Sequence, residues 1–178
     1  MRVGVLAVQG AFIEHERAFE RAGHVVSEIR QSKDLESSLD MIVFPGGEST
    51  VQRKLLHDLH IIEPLWQRID AGIGVYATCA GLILLANEID GQPNPVGRLA
   101  VSVQRNAYGR QLGSFQTCGS ILGRENVTMT FIRAPKILSV QNNNVEILST
   151  FDGYPTAVRQ GKITAFAYHP ELNGEIYL

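Results

Sequence analysis

Apolar residues fall along this chain in short unbroken runs rather than in strict alternation. Residues 3–8 (VGVLAV) form one such run, and a run of that length predicts a strand covered on both faces of a sheet. Gln9 and Gly10 break it. Residues 11–22 then place Glu and Arg between apolar positions, as a helix does, and Gly23 is a fitting stop. Residues 25–29 and 41–44 predict two further strands. Strand and helix in alternation predict a doubly wound α/β fold with a mostly parallel central sheet.

Residues 55–71 predict a helix in two pieces around Pro64, and residues 74–77 a strand that runs into Thr78-Cys79-Ala80-Gly81. The apolar stretch 82–86 predicts a helix starting right after Cys79. Beyond Asn87 the texture changes. Shorter strand-like runs at 99–103, 127–132 and 145–148 lie between Gly, Pro and Asn breaks, and Asn142-Asn143-Asn144 predicts a turn. The second half is richer in strands, but no linker divides it from the first, so residues 1–178 predict one domain.

Composition narrows the partners. A net charge of −2 with scattered Lys and Arg supplies no basic stripe for nucleic acid or an acidic membrane surface. No segment reaches the roughly 20 apolar residues that span a bilayer. The apolar run at 3–8 is too short for a secretory signal, and Gln9, Glu14, His15 and Glu16 follow it at once. Two cysteines, Cys79 and Cys118, are too few for a disulfide framework, so the expected compartment is the reducing cytoplasm. No His/Cys/Asp cluster has metal-ligand spacing, and neither a metal nor another cofactor is expected.

Three stretches can carry chemistry. Ala77-Thr78-Cys79-Ala80-Gly81 puts a cysteine at a sharp strand-to-helix turn, the geometry of a nucleophile elbow. Such a turn pushes the thiol out of the sheet, and the helix N-terminus favours thiolate. A buried structural thiol would give the same local pattern. His169-Pro170-Glu171 follows the strand-like residues 163–168. In extended backbone, residues two apart project to one side, which would bring imidazole and carboxylate together, the carboxylate fixing the tautomer. An exposed turn is the plainer alternative. Pro45-Gly46-Gly47-Glu48-Ser49-Thr50 ends the strand at 41–44, where ligands bind in open α/β sheets. Its glycines let backbone approach a substrate, while Glu48 can receive an ammonium group. The same stretch also reads as a simple turn with Ser49 or Thr50 capping a helix. Jointly, an elbow cysteine, a late His-x-Glu and a Gly-Gly loop describe one acyl-transfer site.

With these residues the sequence resembles the class I, triad-type glutamine amidotransferases. Within them it is most similar to the glutaminase subunits of deoxyxylulose-independent pyridoxal 5′-phosphate synthases. The resemblance runs through residues 5–12, 45–50, 78–86, Arg105-Asn106-Ala107-Tyr108-Gly109-Arg110-Gln111, Ser114-Phe115, Phe131-Ile132-Arg133-Ala134-Pro135 and 169–172. It implies a three-layer α/β sandwich in which Cys79 is the nucleophile, His169 the acid and base, and Glu171 the orienting carboxylate. It also implies that Gly46, Gly47, Glu48, Arg105, Ile132 and Arg133 line the L-glutamine site. Cys118 is expected to be structural.

The implied reaction releases ammonia and glutamate, and the implied partner is an ammonia-accepting synthase subunit. A hydrolase domain filling residues 1–178 leaves none for an ammonia-consuming domain, so the acceptor is expected on another chain. The resemblance further implies weak activity in the isolated chain. Two features depart from the family pattern: Ala77 stands where the elbow usually opens with Gly, and residues 172–178 are shorter than the usual helical ending. Other readings of the same fold are a stand-alone cysteine hydrolase or chaperone, and an inactive regulatory subunit. An intact Cys79, His169 and Glu171 argue against the last.

Overall fold

A computed structural model of the chain describes residues 1–108 and 113–178. Gly109, Arg110 and Gln111 of the family-typical stretch lie outside the described residues. The first half alternates as its apolar runs predict: β1 (Arg2–Leu6), α1 (Phe12–Arg21), β2 (Val25–Ile29), β3 (Met41–Phe44), α2 (Ser49–Asp58), α3 (Ile62–Asp70), β4 (Gly74–Thr78) and α4 (Ala80–Leu85). The second half is strand-rich: β5 (Ala86–Ile89), β6 (Gln92–Pro93), β7 (Leu99–Gln104), β8 (Ser114–Ile121), β9 (Arg124–Ile132), β10 (Lys136–Val140), β11 (Val145–Phe151), β12 (Tyr154–Gln160) and β13 (Ile163–Phe166).

Among the described residues the main sheet has the order β11-β12-β13-β4-β3-β1-β2. From β2 to β13 every neighbouring pair is parallel, and β12 and β11 continue it antiparallel. The inner parallel strands are the apolar ones because they are covered on both faces: Ile42, Val43, Phe44, Val75, Tyr76 and Ala77 are fully buried, whereas β2 at the edge is largely exposed. Tyr76 ties the layers together. Its ring meets Phe19 of α1 edge-on at 5.3 Å and Phe166 of β13 at 4.9 Å. Burying one such side chain contributes about 1.5–3 kcal/mol. No helix among the described residues is long and apolar enough to cross a membrane.

Among the described residues two further sheets come from the second half. Strands β10, β7, β5 and β6 form one, and the β8–β9 hairpin forms the other. The hairpin joins the main sheet through aromatic contacts. Phe115 stacks on Phe131 at 4.7 Å, and Phe131 in turn meets Tyr168 just beyond β13 at 5.7 Å. The Asn142–Asn144 turn forms as its composition predicts, with the Asn144 N–H donating to the Asn142 side chain at 3.0 Å.

Three local expectations are corrected. The helical region begins at Ser49 rather than residue 55, because the Glu48 carboxylate caps α2 by accepting from the Thr50 N–H and hydroxyl. Neither Ser49 nor Thr50 is the cap. The break between α2 and α3 falls at residues 59–61, not at Pro64. There His60 takes a positive φ of 53° and the Ile61 N–H closes on the Leu56 carbonyl at 2.9 Å. Pro64 sits in the first turn of α3, where a missing N–H costs nothing. The helix after Cys79 spans Ala80–Leu85, and Ala86 already opens β5.

The topology decides where a ligand can bind. The chain leaves β1 to one side for β2 and to the other for β3, so a crevice opens beyond the carboxyl ends of β1 and β3. The ends of β4 and β13 lie beside it in register, with Phe44 opposite Ala77 and Phe166 opposite Thr78. Four loops therefore share one sheet edge.

Candidate active site

Cys79 leaves β4 with φ 47° and ψ −98°, a left-handed backbone that a side chain adopts only under constraint. Its neighbours supply the constraint. The Cys79 N–H donates to the Phe166 carbonyl at 2.8 Å, and the Cys79 carbonyl accepts the first helical bond of α4, from Ile83, at 3.1 Å. The N–H groups of Ala80, Gly81 and Leu82 precede that bond and stay free of the helix ladder. Gly81 explains the sharpness of the turn. A methyl group there would stand 2.3 Å from the Phe44 carbonyl oxygen, so only glycine lets α4 sit down on the end of β3. Ala77, the departure from the family pattern, is fully buried in β4.

His169 and Glu171 do come together, by a different route from the one expected. Pro170–Asn173 is a 3-10 turn rather than extended backbone, with Pro170 at its first position. Within it the His169 Nδ1–H donates to Glu171 Oε1 at 2.7 Å. Both side chains are buried, and the His169 N–H is pinned to the Thr130 carbonyl of β9 at 2.9 Å. Burial alone would lower the His169 pKa. Cys79 and Glu171, which flank the imidazole, outweigh it and push the value up to about 10. The imidazole is thus held in its protonated form beside the Cys79 sulfur.

Gly46 lies against the Cε1 edge of this ring. A Cβ on Gly46 would stand 2.3 Å from His169 Cε1. Gly46→Ala should therefore displace the imidazole by about 1 Å and lower turnover roughly 10²-fold, with the folded state retained. Steady-state kinetics with a melting curve checks this, and turnover equal to wild type would show that the close approach is unimportant.

The Gly46-Gly47 loop is itself braced from below. Its Gly46 carbonyl accepts from the Ala11 N–H at 3.0 Å, and the Glu48 N–H donates to the Gln9 side chain at 3.0 Å. Gln52, buried in α2, donates to the Gln9 and Pro45 carbonyls at 3.0 and 3.2 Å. The β1 and β3 loops are held as one unit.

A cavity of about 390 Å³ opens over these groups. Gly46, Gly47, Glu48, Cys79, Ile132, Arg133 and His169 all line it. The Ile132 carbonyl at the end of β9 lies 3.8 Å from Cys79 Sγ. Arg133, with φ 44°, is exposed at the rim. Arg105 is the exception among the expected residues. It lines a neighbouring cavity of about 360 Å³ and pairs with Asp90 at 2.7 Å. Asn106 occupies the rim in its place. Among the described residues no group of three or more His, Cys, Asp or Glu could hold a metal ion.

Sequence reasoning missed several residues. Gln9 and Gln52 brace the Gly-Gly loop, Glu14 lines the cavity, and His15 lies behind the carboxylate. His15 left a signal: it shares the buried stripe of α1 with Ala18 and Phe19, three and four residues on, and a histidine in an apolar stripe calls for a partner.

A cysteine elbow at the carboxyl edge of a parallel sheet, facing a buried imidazole–carboxylate pair, marks the fold class of the triad-type amidotransferases. Residues 5–177 match the SNO glutamine amidotransferase family, and the chain belongs to it. It is 48% identical over 178 residues, all of this chain and 94% of the relative, to a protein from Methanocorpusculum labreanum named pyridoxal 5′-phosphate synthase subunit PdxT. A protein of the same name from Desulfitobacterium hafniense is 51% identical over 176 residues, 98% of this chain and 88% of the relative. A crystal structure described as a glutamine amidotransferase superposes with a TM-score of 0.89 at 41% identity, over 97% of this chain and 92% of that one. The glutaminase domain of Trypanosoma brucei CTPS with bound acivicin shares the fold alone, with a TM-score of 0.57 at 12% identity over 97% of this chain and 86% of that one.

Proposed function

We propose that the chain is the glutaminase subunit of a pyridoxal 5′-phosphate synthase, hydrolysing L-glutamine and passing the ammonia to a separate synthase subunit. The observation that carries this reading is the elbow cysteine in one cavity with His169, itself bound to Glu171, in a chain that matches PdxT proteins along nearly its whole length. Residues 1–178 act as one glutaminase domain. The two free thiols support the cytoplasm as its compartment.

Cys79 is the nucleophile in this reading. Its thiolate attacks the side-chain carbonyl carbon of glutamine, and the negative charge moves to the carbonyl oxygen. Backbone N–H groups of Ala80 and of the Gly46-Gly47 loop are the donors for that oxyanion. As the C–N bond breaks, the His169 imidazolium gives its proton to the leaving nitrogen and ammonia departs. His169, now neutral, takes a proton from water, the hydroxide attacks the thioester, and glutamate and the Cys79 thiolate are released. Glu171 holds the imidazole in the tautomer that presents Nε2 to the reacting atoms. The substrate's free ends need opposite charges. Arg133 receives the α-carboxylate, Glu48 the α-ammonium group, and Ile132 packs along the side chain. Arg105 reaches glutamine only by releasing Asp90.

Docking of the synthase subunit should switch the site on. The Gly46 carbonyl is held by one hydrogen bond to Ala11, so turning the Gly46-Gly47 peptide costs about 1 kcal/mol net. One oxyanion donor gained in exchange is worth on the order of 10²–10³ in rate. The isolated chain should therefore release glutamate slowly at saturating glutamine, and adding the synthase subunit should raise the rate on the order of 10²-fold. Absence of glutamate release with the partner present would overturn the glutaminase reading. Full activity in its absence would overturn only the activation by docking.

A further inference from the structure

We propose that His15 is a positioning residue of this site: a neutral imidazole, fixed as its Nδ1–H tautomer, that anchors the elbow threonine and backs the Glu171 carboxylate without donating to it. The inference rests on the triad reading above and adds to it a residue that the reaction itself does not use.

The protonation pattern follows from the partners. His15 Nδ1 lies 2.7 Å from the Ala11 carbonyl oxygen. A carbonyl only accepts, so the proton is on Nδ1. The side chain has no exposed surface, and burial lowers its pKa against the pull of Glu171. A neutral ring protonated at Nδ1 carries a lone pair at Nε2. Thr78 Oγ1 stands 3.0 Å from that nitrogen and must be the donor. Thr78 directly precedes Cys79, so α1 and the elbow are joined through this bond.

Glu171 Oε2 lies 3.6 Å from the same Nε2 and has no hydrogen-bond partner among the described residues. Two acceptors thus face each other at 3.6 Å. Among the described residues the carboxylate's donor is His169 on Oε1 alone. A second donor on Oε2 would draw charge to the far oxygen and weaken the field at His169. His15 fills the place where water would supply one, and in its neutral tautomer it supplies none. The other titratable groups facing His15 are His169 and Glu14, which act on it by charge, and Tyr76 of β4, whose ring meets it edge-on at 6.4 Å.

The test reads His169 and His15 directly, in the full chain. Nitrogen–proton correlation NMR of the wild-type imidazoles near neutral pH should show His15 neutral with its proton on Nδ1. An imidazolium, or a proton on Nε2, would overturn the proposal without any variant being needed. His15→Gln places an amide N–H₂ where Nε2 stood, so it donates to Glu171 Oε2. His15→Asn keeps a donor for Ala11 and opens the far side to water. Both should lower the His169 titration midpoint by on the order of one pH unit. A role confined to packing would lower the melting temperature and leave that midpoint in place, and an unchanged midpoint in a folded variant sinks the idea. Because no readout depends on glutamate release, failure of the glutaminase reading would be seen separately, in the wild-type assay.

Discussion

Cys79→Ser should lower glutaminase turnover about 10⁶-fold, the scale on which losing a triad nucleophile removes catalysis by the whole triad. The chemical reason is acidity. A thiol gives up its proton to a neighbouring imidazole, whereas a hydroxyl in the same place holds it far more tightly. The fold should survive the change. Serine keeps the Cβ and nearly the size, and the positive φ at residue 79 is fixed by bonds from its own backbone to Phe166 and Ile83, not by the sulfur. A glutamine-like electrophile should label Cys79 in the wild type and nothing in the variant. Cys118 is exposed on the β8–β9 hairpin, outside the cavity, and Cys118→Ser should leave turnover within about twofold, roughly 0.4 kcal/mol. Mass spectrometry that finds the adduct on Cys118 would overturn the nucleophile assignment.

The inner parallel strands were legible because burial on both faces leaves an unbroken apolar run, as at residues 41–44. The ends of elements were less so. The run at 3–8 outlasts β1, since the chain must turn at Ala7 and Val8 to bring Gly10 under the Gly46 carbonyl, where a side chain would stand 2.0 Å from that oxygen. Pro64 suggests a break by its missing N–H, yet the first turn of a helix needs none, and the break fell where His60 could take a left-handed turn. The hairpin strand at Ser114–Ile121 went unseen because its alternation of half-buried and exposed positions is built largely from polar and small residues.

At the site, what could be seen were the residues whose type states the chemistry: the elbow cysteine, the His-x-Glu and the paired glycines. What could not be seen were contacts made between elements. Gln9 and Gln52 lie 43 positions apart, and nothing in either neighbourhood announces that together they brace one loop. Arg105 is a parallel case in reverse. Its sequence setting points to the glutamine site, while its partner Asp90, just past the end of the neighbouring parallel strand β5, takes it to the adjoining cavity. A charged residue's position in sequence fixes its reach but not its partner.

Glu171→Gln should lower turnover by about 10³–10⁴, as triad carboxylates do elsewhere, and leave the protein as stable as before. The usual complication of such a change is that the amide turns its NH₂ toward the histidine and imposes the wrong tautomer. Here the surroundings set the amide the other way. The atom replacing Oε2 faces His15 Nε2 at 3.6 Å, and a neutral His15 presents no donor there for an amide oxygen, so the NH₂ rather than the oxygen turns toward His15. The amide oxygen then keeps the bond to the His169 Nδ1–H, now 2.7 Å from Glu171 Oε1. Geometry and tautomer are preserved while the charge is lost. His169, pushed up to about 10 in part by Glu171, should titrate lower in the variant, and the imidazolium that pairs with the thiolate and protonates the leaving nitrogen should be correspondingly less stable. Glutamine binding should change little, because the residues assigned to the substrate's charged ends, Glu48 and Arg133, line the cavity whereas the buried Glu171 carboxylate does not. Three measurements separate charge from structure: kcat against KM for glutamine, the melting temperature, and the His169 midpoint by NMR. A fall in kcat with KM, melting temperature and tautomer unchanged is the expected result. Turnover within about twofold of wild type would remove Glu171 from the relay, and a reversed His169 tautomer would show that His15 does not orient the amide.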